Sequence, residues 1–444
     1  MVVYRSRWVL PVSRPAIEDG AVAVEHGRIA YVGGSSGAPA GERVDLGECA
    51  LTPGLVNTHS HLELTAMRGW LEDLPFRRWI IRLTKARQHV LGPERLLASA
   101  RLGIAEGLLA GITTYADTCE SGVVHRALRE LGVRGVMYQE VFGPEPGQAR
   151  SALRELEGRV AALRRADTTL VRTGISPHAP YSVSDDLFSA AAAMAAAESL
   201  PIAVHAAESE AEELLVSRAE GDFADALKAR GISVEPRAET TIRLLERTGV
   251  LRAKPLLIHC VRAGRDDLRR IADHGCSVSH CPASNAKLGH GFADLGGMLE
   301  AGVAVGLGSD SVASNNRMDI LDEARLAILL GRATRGTFGG LEAALGLELA
   351  TIRGARALGG GLDGEVGTLD AGKAADLAAF PLDVPHAVPV HDPASALLFA
   401  TSGRGARLVA VAGEVLVRDG RLVRDVPDDA RVVAEAARDL RNFR

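Results

Sequence analysis

Between residues 51 and 307 the chain alternates short apolar runs with Ala-, Leu- and Arg-rich stretches, and few folds accommodate that alternation. The runs lie near Leu51–Val56, Thr113–Ala116, Gly135–Gln139, Val171–Ile175, Ile202–Val204, Leu256–Ile258, Ser277–Ser279 and Val303–Leu307. Each is short enough for a buried strand and is followed by helix-forming sequence, the signature of βα units around a parallel sheet. Eight units predict an α/β fold of the TIM, or (β/α)8, barrel type. Glu94–Ala110, Gln148–Arg165 and Asp185–Ser199 read as covering helices, with Arg and Glu on a solvated outer face.

The two ends lack this alternation. Ala21–Glu25, a His26-Gly27 turn and Arg28–Val32 read as short strands near the start. Ala375–Phe380, Leu408–Ala412 and Glu414–Val417, followed by an Asp419-Gly420 turn, read the same way near the end. Neither end has strands enough for its own core, so the two are expected to pair into one small β-sandwich. The expected division is residues 1–52 and 359–444 for that sandwich and 53–358 for the barrel. The 210–250 stretch is longer than one covering helix needs, and part of it can form a lid over the barrel rim.

Composition removes several classes of function. A formal net charge of −5 over 444 residues gives no basic footprint for nucleic acid. No Lys/Arg run marks an anionic membrane, and no segment has the uninterrupted apolar length of a membrane span or signal peptide. Cys49, Cys119, Cys260, Cys276 and Cys281 are odd in number and contain no Cys-x-x-Cys, which argues against both a disulfide framework and a thiolate zinc site. A soluble cytoplasmic protein acting on a small molecule is expected.

In barrels of this type, chemistry sits where the strands end. His59 and His61 close the first run, and residues two apart in an extended chain point the same way. His178 follows the fourth run, His205 and Glu208 the fifth, His259 the sixth, His280 the seventh and Asp310 the eighth. One core histidine is ordinary, whereas a ring of polar residues at one rim predicts a site. His59, His61, His205 and Asp310 supply three imidazoles and a carboxylate, a donor set for one divalent metal, with zinc expected and iron the alternative.

Such a metal lowers the pKa of a bound water to about 7, making hydroxide available at neutral pH. Asp310 is placed to take the water's proton, and Glu208 to pass a proton to the atom beside the attacked carbon. His259 then hydrogen-bonds the developing alkoxide or orients the water. These roles fit hydrolytic attack on a C=N or C=O carbon. No lysine stands in Thr173-Gly-Ile-Ser-Pro-His178 to be carbamylated and bridge two ions, which favours one metal.

The motifs Gly54-Leu-Val-Asn-Thr-His-Ser-His61, His178-Ala-Pro-Tyr181, His205-Ala-Ala-Glu208, Ser279-His-Cys-Pro-Ala-Ser-Asn-Ala-Lys-Leu-Gly289, Gly308-Ser-Asp310 and Gly372-Lys-Ala-Ala-Asp376 together resemble the amidohydrolase superfamily. The resemblance spans nearly the whole chain. It lies with the mononuclear branch of cytosine-deaminase-like and triazine-hydrolase-like enzymes. It implies a (β/α)8 barrel with a β-sandwich, a zinc or iron site, a homodimer, and substrate contact by His178.

Arg68 to Trp79 is similar to the loop of adenosine-type deaminases in which a tryptophan flanks the purine nucleoside, a role that Trp79 fits; the plain alternative is a packed loop aromatic. Arg77 stands where S-adenosylhomocysteine and methylthioadenosine deaminases carry a ribose-binding glutamate, and His61-Leu-Glu-Leu64 departs from their usual sequence. His-Leu-Glu followed by Leu-Pro-Phe-x-x-Trp also resembles the 6-aminodeoxyfutalosine deaminases, whose substrate carries a carboxylate that Arg77 or Arg78 can pair with. The expected reaction is deamination of a purine nucleoside. Loss of another leaving group, as in chlorohydrolases and cyclic amidohydrolases, is the alternative, and a non-enzymatic scaffold is the remote one.

Overall fold

The computed structural model describes residues 1–401 and 403–443. Eight parallel strands run through the centre: β1 (Leu55–Ser60), β2 (Ile112–Cys119), β3 (Arg134–Val141), β4 (Val171–Pro177), β5 (Ala203–Ala206), β6 (Leu256–His259), β7 (Ser277–His280) and β8 (Ala304–Leu307). One sequence expectation fails at the start of this series. The apolar run over Leu51–Val56 is not one strand; Cys49–Pro53 belongs to the β-rich region and Leu55 begins β1.

Gly54 makes the break. Its N–H is drawn to the Asp376 carbonyl at 2.8 Å, while the Leu55 N–H turns to the Gly111 carbonyl at 2.9 Å. A Cβ on Gly54 would lie 2.2 Å from Thr113 Oγ1, so only glycine passes this crossing. As a result His59 lies inside β1 rather than beyond it.

β1 to β4 form one four-stranded sheet and β5 to β8 another. Parallel bridges join their edges on both sides, Ile175 to Ile202 and Ser60 to Asp310. The Asp310 N–H donates to the His59 carbonyl at 2.9 Å, which carries the β8 end to the β1 end. Strand residues such as Tyr115, Met137, Val171, Val204, Leu257, Val278 and Val305 have no solvent exposure. Each such apolar side chain contributes about 1.5–3 kcal/mol on burial. Helices Pro93–Leu109, Ala149–Arg164 and Asp185–Glu198 lie within a residue of their expected bounds.

Strands from both chain ends hydrogen-bond into one nine-stranded sheet, joined where Leu51 pairs with Ala379 and Ala50 with Phe380. Tyr4, Val22, Ile29, Leu51, Leu377 and Ala410 meet in a single apolar cluster, so the sheet must curl over itself. A buried bidentate pair clamps it to the strand bundle: Arg134 Nε and Nη2 each lie 3.0 Å from the Asp376 carboxylate. The 359–444 region also contains a helix, Pro427–Asn442, which leaves the sheet and buries Ala436 and Leu440 against Leu64, Met67 and Leu96. Among the described residues no helix is long and apolar enough to cross a membrane.

Candidate metal centre and substrate pocket

The ends of β1, β5 and β8 bring the predicted ligands together, and β6 adds His259 beside them. The His59 ring centroid lies 4.8 Å from that of His61 and 4.9 Å from that of His205, and the His61 and His205 rings stack at 5.4 Å. Asp310 Oδ1 is 3.2 Å from His59 Nε2 and 3.6 Å from His61 Nε2. One donor atom from each of His59, His61 and His205 falls within 4.8 Å of the others, and His59, His259 and Asp310 form a second such group.

Local backbone places these groups at some cost. Ala207, His259, Cys260 and Asp310 all hold left-handed φ angles, between 51° and 76°. Non-glycine residues adopt that conformation at a cost of ~1–3 kcal/mol and keep it only where surroundings impose it. Here the Cys260 N–H donates to the Ala206 carbonyl at 3.0 Å, and the Arg262 N–H to the Ala207 carbonyl at 2.8 Å. Glu212 adds a brace, its carboxylate accepting from the Ala207 and Glu208 N–H groups at 2.7 and 3.2 Å and from the Thr241 hydroxyl at 2.6 Å. Burial, opposed by these bonds, pushes the Glu212 pKa up to about 7.

The donor set fits a divalent cation. Burial pushes the His59 pKa down to about 4 and holds His61 and His205 below the ordinary value, which favours the neutral ring whose lone pair a cation takes, while Asp310 opposes this at His59 and His61. His205 Nδ1 donates to the His178 carbonyl at 3.2 Å, which leaves Nε2 unprotonated. His59 Nε2 is buried, and beyond the 3.2 Å approach of Asp310 Oδ1 it has no well-directed hydrogen-bond partner. Burial alone would raise the Asp310 carboxyl, but His59, His259 and His61 outweigh it and hold Asp310 well below the usual range. Asp310 Oδ2 accepts from the hydroxyls of Ser284 and Ser314, which fixes the carboxylate plane.

Glu208 Oε1 stands 3.6 Å from Nε2 of both His259 and His290. Burial opposes ionisation of Glu208, yet these two histidines keep its pKa below the ordinary value. His259 Nδ1 donates to Asn285 Oδ1 at 2.9 Å, so its Nε2 faces Glu208. His280 is fully enclosed beside this centre, its pKa pushed down to about 4 by burial.

Above the centre opens a cavity of about 560 Å³, bordered by His61, His178, His205, Glu208, His259 and Asp310 at its floor. Trp79 and Arg77 both line it. The segment expected as a loop is helical here: Phe76–His89 lies along the cavity and presents Phe76, Trp79, Ile80, Leu83 and Arg87 to it. Trp79 stacks on Phe76 and its indole N–H is buried without a partner, while Arg77 is exposed. His178 touches Phe142 and Tyr181, and burial pushes its pKa down to about 3. Phe223 and Leu227 from the 210–250 stretch reach the same cavity, where Phe223 stacks on Tyr181 at 4.2 Å.

Sequence reasoning missed an acidic stretch of the same cavity wall. Arg87 Nε and Nη2 lie 2.8 Å from Glu63 Oε1, and its Nη1 lies 2.5 Å from Glu120 Oε2. The other Glu63 oxygen accepts from Cys119 and Ser121. Glu140, near the end of β3, is buried beside them, and burial together with Glu63 raises its carboxyl well above the usual range. The signal was present: Glu120 and Glu140 follow the second and third apolar runs, but no histidine draws the eye there.

Residues 50–416 match the amidohydrolase family. The 5-methylthioadenosine/S-adenosylhomocysteine deaminase of Moorella thermoacetica is 32% identical over 422 residues, covering 93% of both chains. The crystal structure of an adenosine deaminase from Xanthomonas campestris with bound zinc superimposes with a TM-score of 0.88 at 28% identity, over 99% of this chain and 98% of that one. Atrazine chlorohydrolase from Arthrobacter aurescens, complexed with zinc, gives 0.85 at 26% identity, over 98% of this chain and all of its own. With residues 50–416 matched by the family and a relative 32% identical over 93% of the chain, the chain belongs to the amidohydrolase family.

Proposed function

We propose that this protein is a metal-dependent aminohydrolase that replaces the exocyclic amine of an adenosine-type substrate with oxygen and releases ammonia. The observation that carries the reading is Glu208: a buried carboxylate held between His259 and His290 at the edge of the histidine cluster, where a proton must reach a ring nitrogen. Relatives named for deamination of methylthioadenosine and S-adenosylhomocysteine support it. The two four-stranded sheets, bridged at both edges, are read as one (β/α)8 barrel, with 1–52 and 359–444 as its β domain.

His59, His61, His205 and Asp310 would hold one divalent ion, zinc by the chemistry of the set and iron as the alternative. Bound there, the ion supplies Lewis acidity that brings the pKa of a water to about 7. Asp310, kept ionised, takes the proton of the attacking water. His259, its Nδ1–H committed to Asn285, orients that water through Nε2. Glu208, ionised at rest, takes the water's second proton and carries it to the ring nitrogen beside the attacked carbon, and Asp310 passes the proton it took to the amine, which leaves as ammonia while the carbon keeps the oxygen. Trp79 and Phe76 flank the base, and His178 contacts it from β4.

Arg77, exposed at the cavity edge, suits a substrate whose far end bears a carboxylate, as in 6-aminodeoxyfutalosine. A cytoplasmic homodimer acting on a small molecule completes the proposal. Ammonia release from adenosine, S-adenosylhomocysteine, methylthioadenosine, 6-aminodeoxyfutalosine, guanine, cytosine and a chlorotriazine by zinc-loaded protein tests it. Release from an adenosine derivative, lost in Glu208→Gln, is expected. Chloride release from the triazine with no ammonia from any nucleoside would move the function to the chlorohydrolase chemistry of the Arthrobacter neighbour.

A further inference from the structure

Within the acidic wall, one carboxyl is left without work. Glu63 has both oxygens engaged by Arg87, Cys119 and Ser121, and Glu120 is paired with the same arginine. Glu140 lines the cavity at 6% exposure, and its Oε1 is buried with no hydrogen-bond partner. Such an orphan acceptor costs ~1–3 kcal/mol unless something occupies it.

Its neighbours indicate what that is. Glu140, His178 and His205 bring one polar atom each to within 4.8 Å of the others, and the His178 N–H donates to the Val141 carbonyl at 3.2 Å. Glu140 within β3, His178 after β4 and Glu208 after β5 belong to three neighbouring strands of the rim, β3 paired with β4 and Ile175 of β4 bridged to Ile202 just before β5. An adenosine-type substrate presents its polar positions in the same order. With C6 at the histidine cluster, N1 meets Glu208, N3 comes next on the same edge, and the sugar on N9 lies beside N3, its 2′-hydroxyl the nearest.

We propose that Glu140 is a substrate-binding residue that accepts a hydrogen bond from the 2′-hydroxyl of the sugar, making the site selective for ribonucleosides. This rests on the deaminase reading of the site and adds a specificity determinant to it.

The test compares adenosine with 2′-deoxyadenosine, using 3′-deoxyadenosine as control, in wild type, Glu140→Ala and Glu140→Gln. In wild type, kcat/KM falls about ten-fold when the 2′-hydroxyl is removed, the size of one buried hydrogen bond. Glu140→Ala loses a similar factor on adenosine, through KM rather than kcat, and loses nothing further on 2′-deoxyadenosine. Glu140→Gln, which keeps an acceptor oxygen, recovers part of the loss.

Equal losses on both substrates, or no loss, would overturn the assignment even if the variant unfolds more easily, because wild type alone must already discriminate. Should wild type release no ammonia from adenosine or from any other adenosine derivative, the deaminase reading fails separately. Calorimetric binding of the same two nucleosides then judges Glu140, and equal affinity in wild type refutes it.

Discussion

The two four-stranded sheets differ in build and in what they carry. β5 to β8 are short, four residues each, and end in His205, His259, His280 and the Asp310 turn. β2 and β3 run to eight residues, and this half of the rim ends in Glu63, Glu120, Glu140 and His178. On the short side, carboxylates face histidines and are held ionised. On the long side, carboxyls face one arginine and one another. Under the proposed function this difference separates reaction from recognition: the short strands, with His59 and His61 added from β1, are assigned the bond-breaking groups, and the long strands with helix Phe76–His89 the substrate's seat.

The sharpest way to break that division is through the reaction side. His205→Ala should abolish metal retention and reduce turnover to background, read by elemental analysis alongside ammonia release. Glu208→Gln should retain the metal and lower kcat by about 10²–10⁴-fold, the usual size of a lost proton donor, with KM little changed. If Glu208→Gln raised KM and spared kcat, the short side would be doing recognition.

On the long side the large effect should be on stability. Arg87 and Glu63 are 16% and 4% exposed, and Arg87→Ala leaves Glu63 buried without a counter-charge. A loss of about 3–5 kcal/mol is expected by urea unfolding. A loss below 1 kcal/mol would show that the pair is solvated.

Acid should weaken the short side next. His280 has its pKa pushed from 6.5 to about 4, so the unfolded chain binds its proton first as pH falls. Its contribution is therefore complete above pH 6.5, declines through the interval, and is spent below about pH 4. At ~1.4 kcal/mol per pH unit, metal-free protein should lose about 2 kcal/mol from this ring between neutral pH and pH 5. Chemical unfolding at both pH values measures it, and a His280→Gln variant with an unchanged pH slope would exclude this ring as the cause.

The smallest effect belongs to Arg77. Exposed and screened, Arg77→Ala should raise KM several-fold for a carboxylate-bearing substrate and leave adenosine unaffected. Unchanged kinetics with the carboxylate-bearing substrate would remove its recognition role.

The same asymmetry explains how much was legible in the sequence. That His59, His61, His205, Glu208, His259 and Asp310 gather at one rim was legible because uncommon residue types recur at strand ends, and the alternation of runs locates those ends. The strand positions followed from the apolar runs except where Gly54 splits one, since periodicity cannot see a backbone crossing. The helix at Phe76–His89 escaped because its apolar face, including Trp79, turns toward a cavity rather than a core. Glu140 and the Arg87 network escaped because common residues scattered over several elements become a site only once folding gathers them.

The central claim, one metal supporting deamination, is tested most directly by titrating chelated, metal-free protein with zinc while following ammonia release from adenosine and from 6-aminodeoxyfutalosine. The account predicts activity on at least one of them that rises linearly and levels at one equivalent of zinc per chain. Activity that requires two equivalents, or protein holding one zinc that releases no ammonia from either substrate, would contradict it.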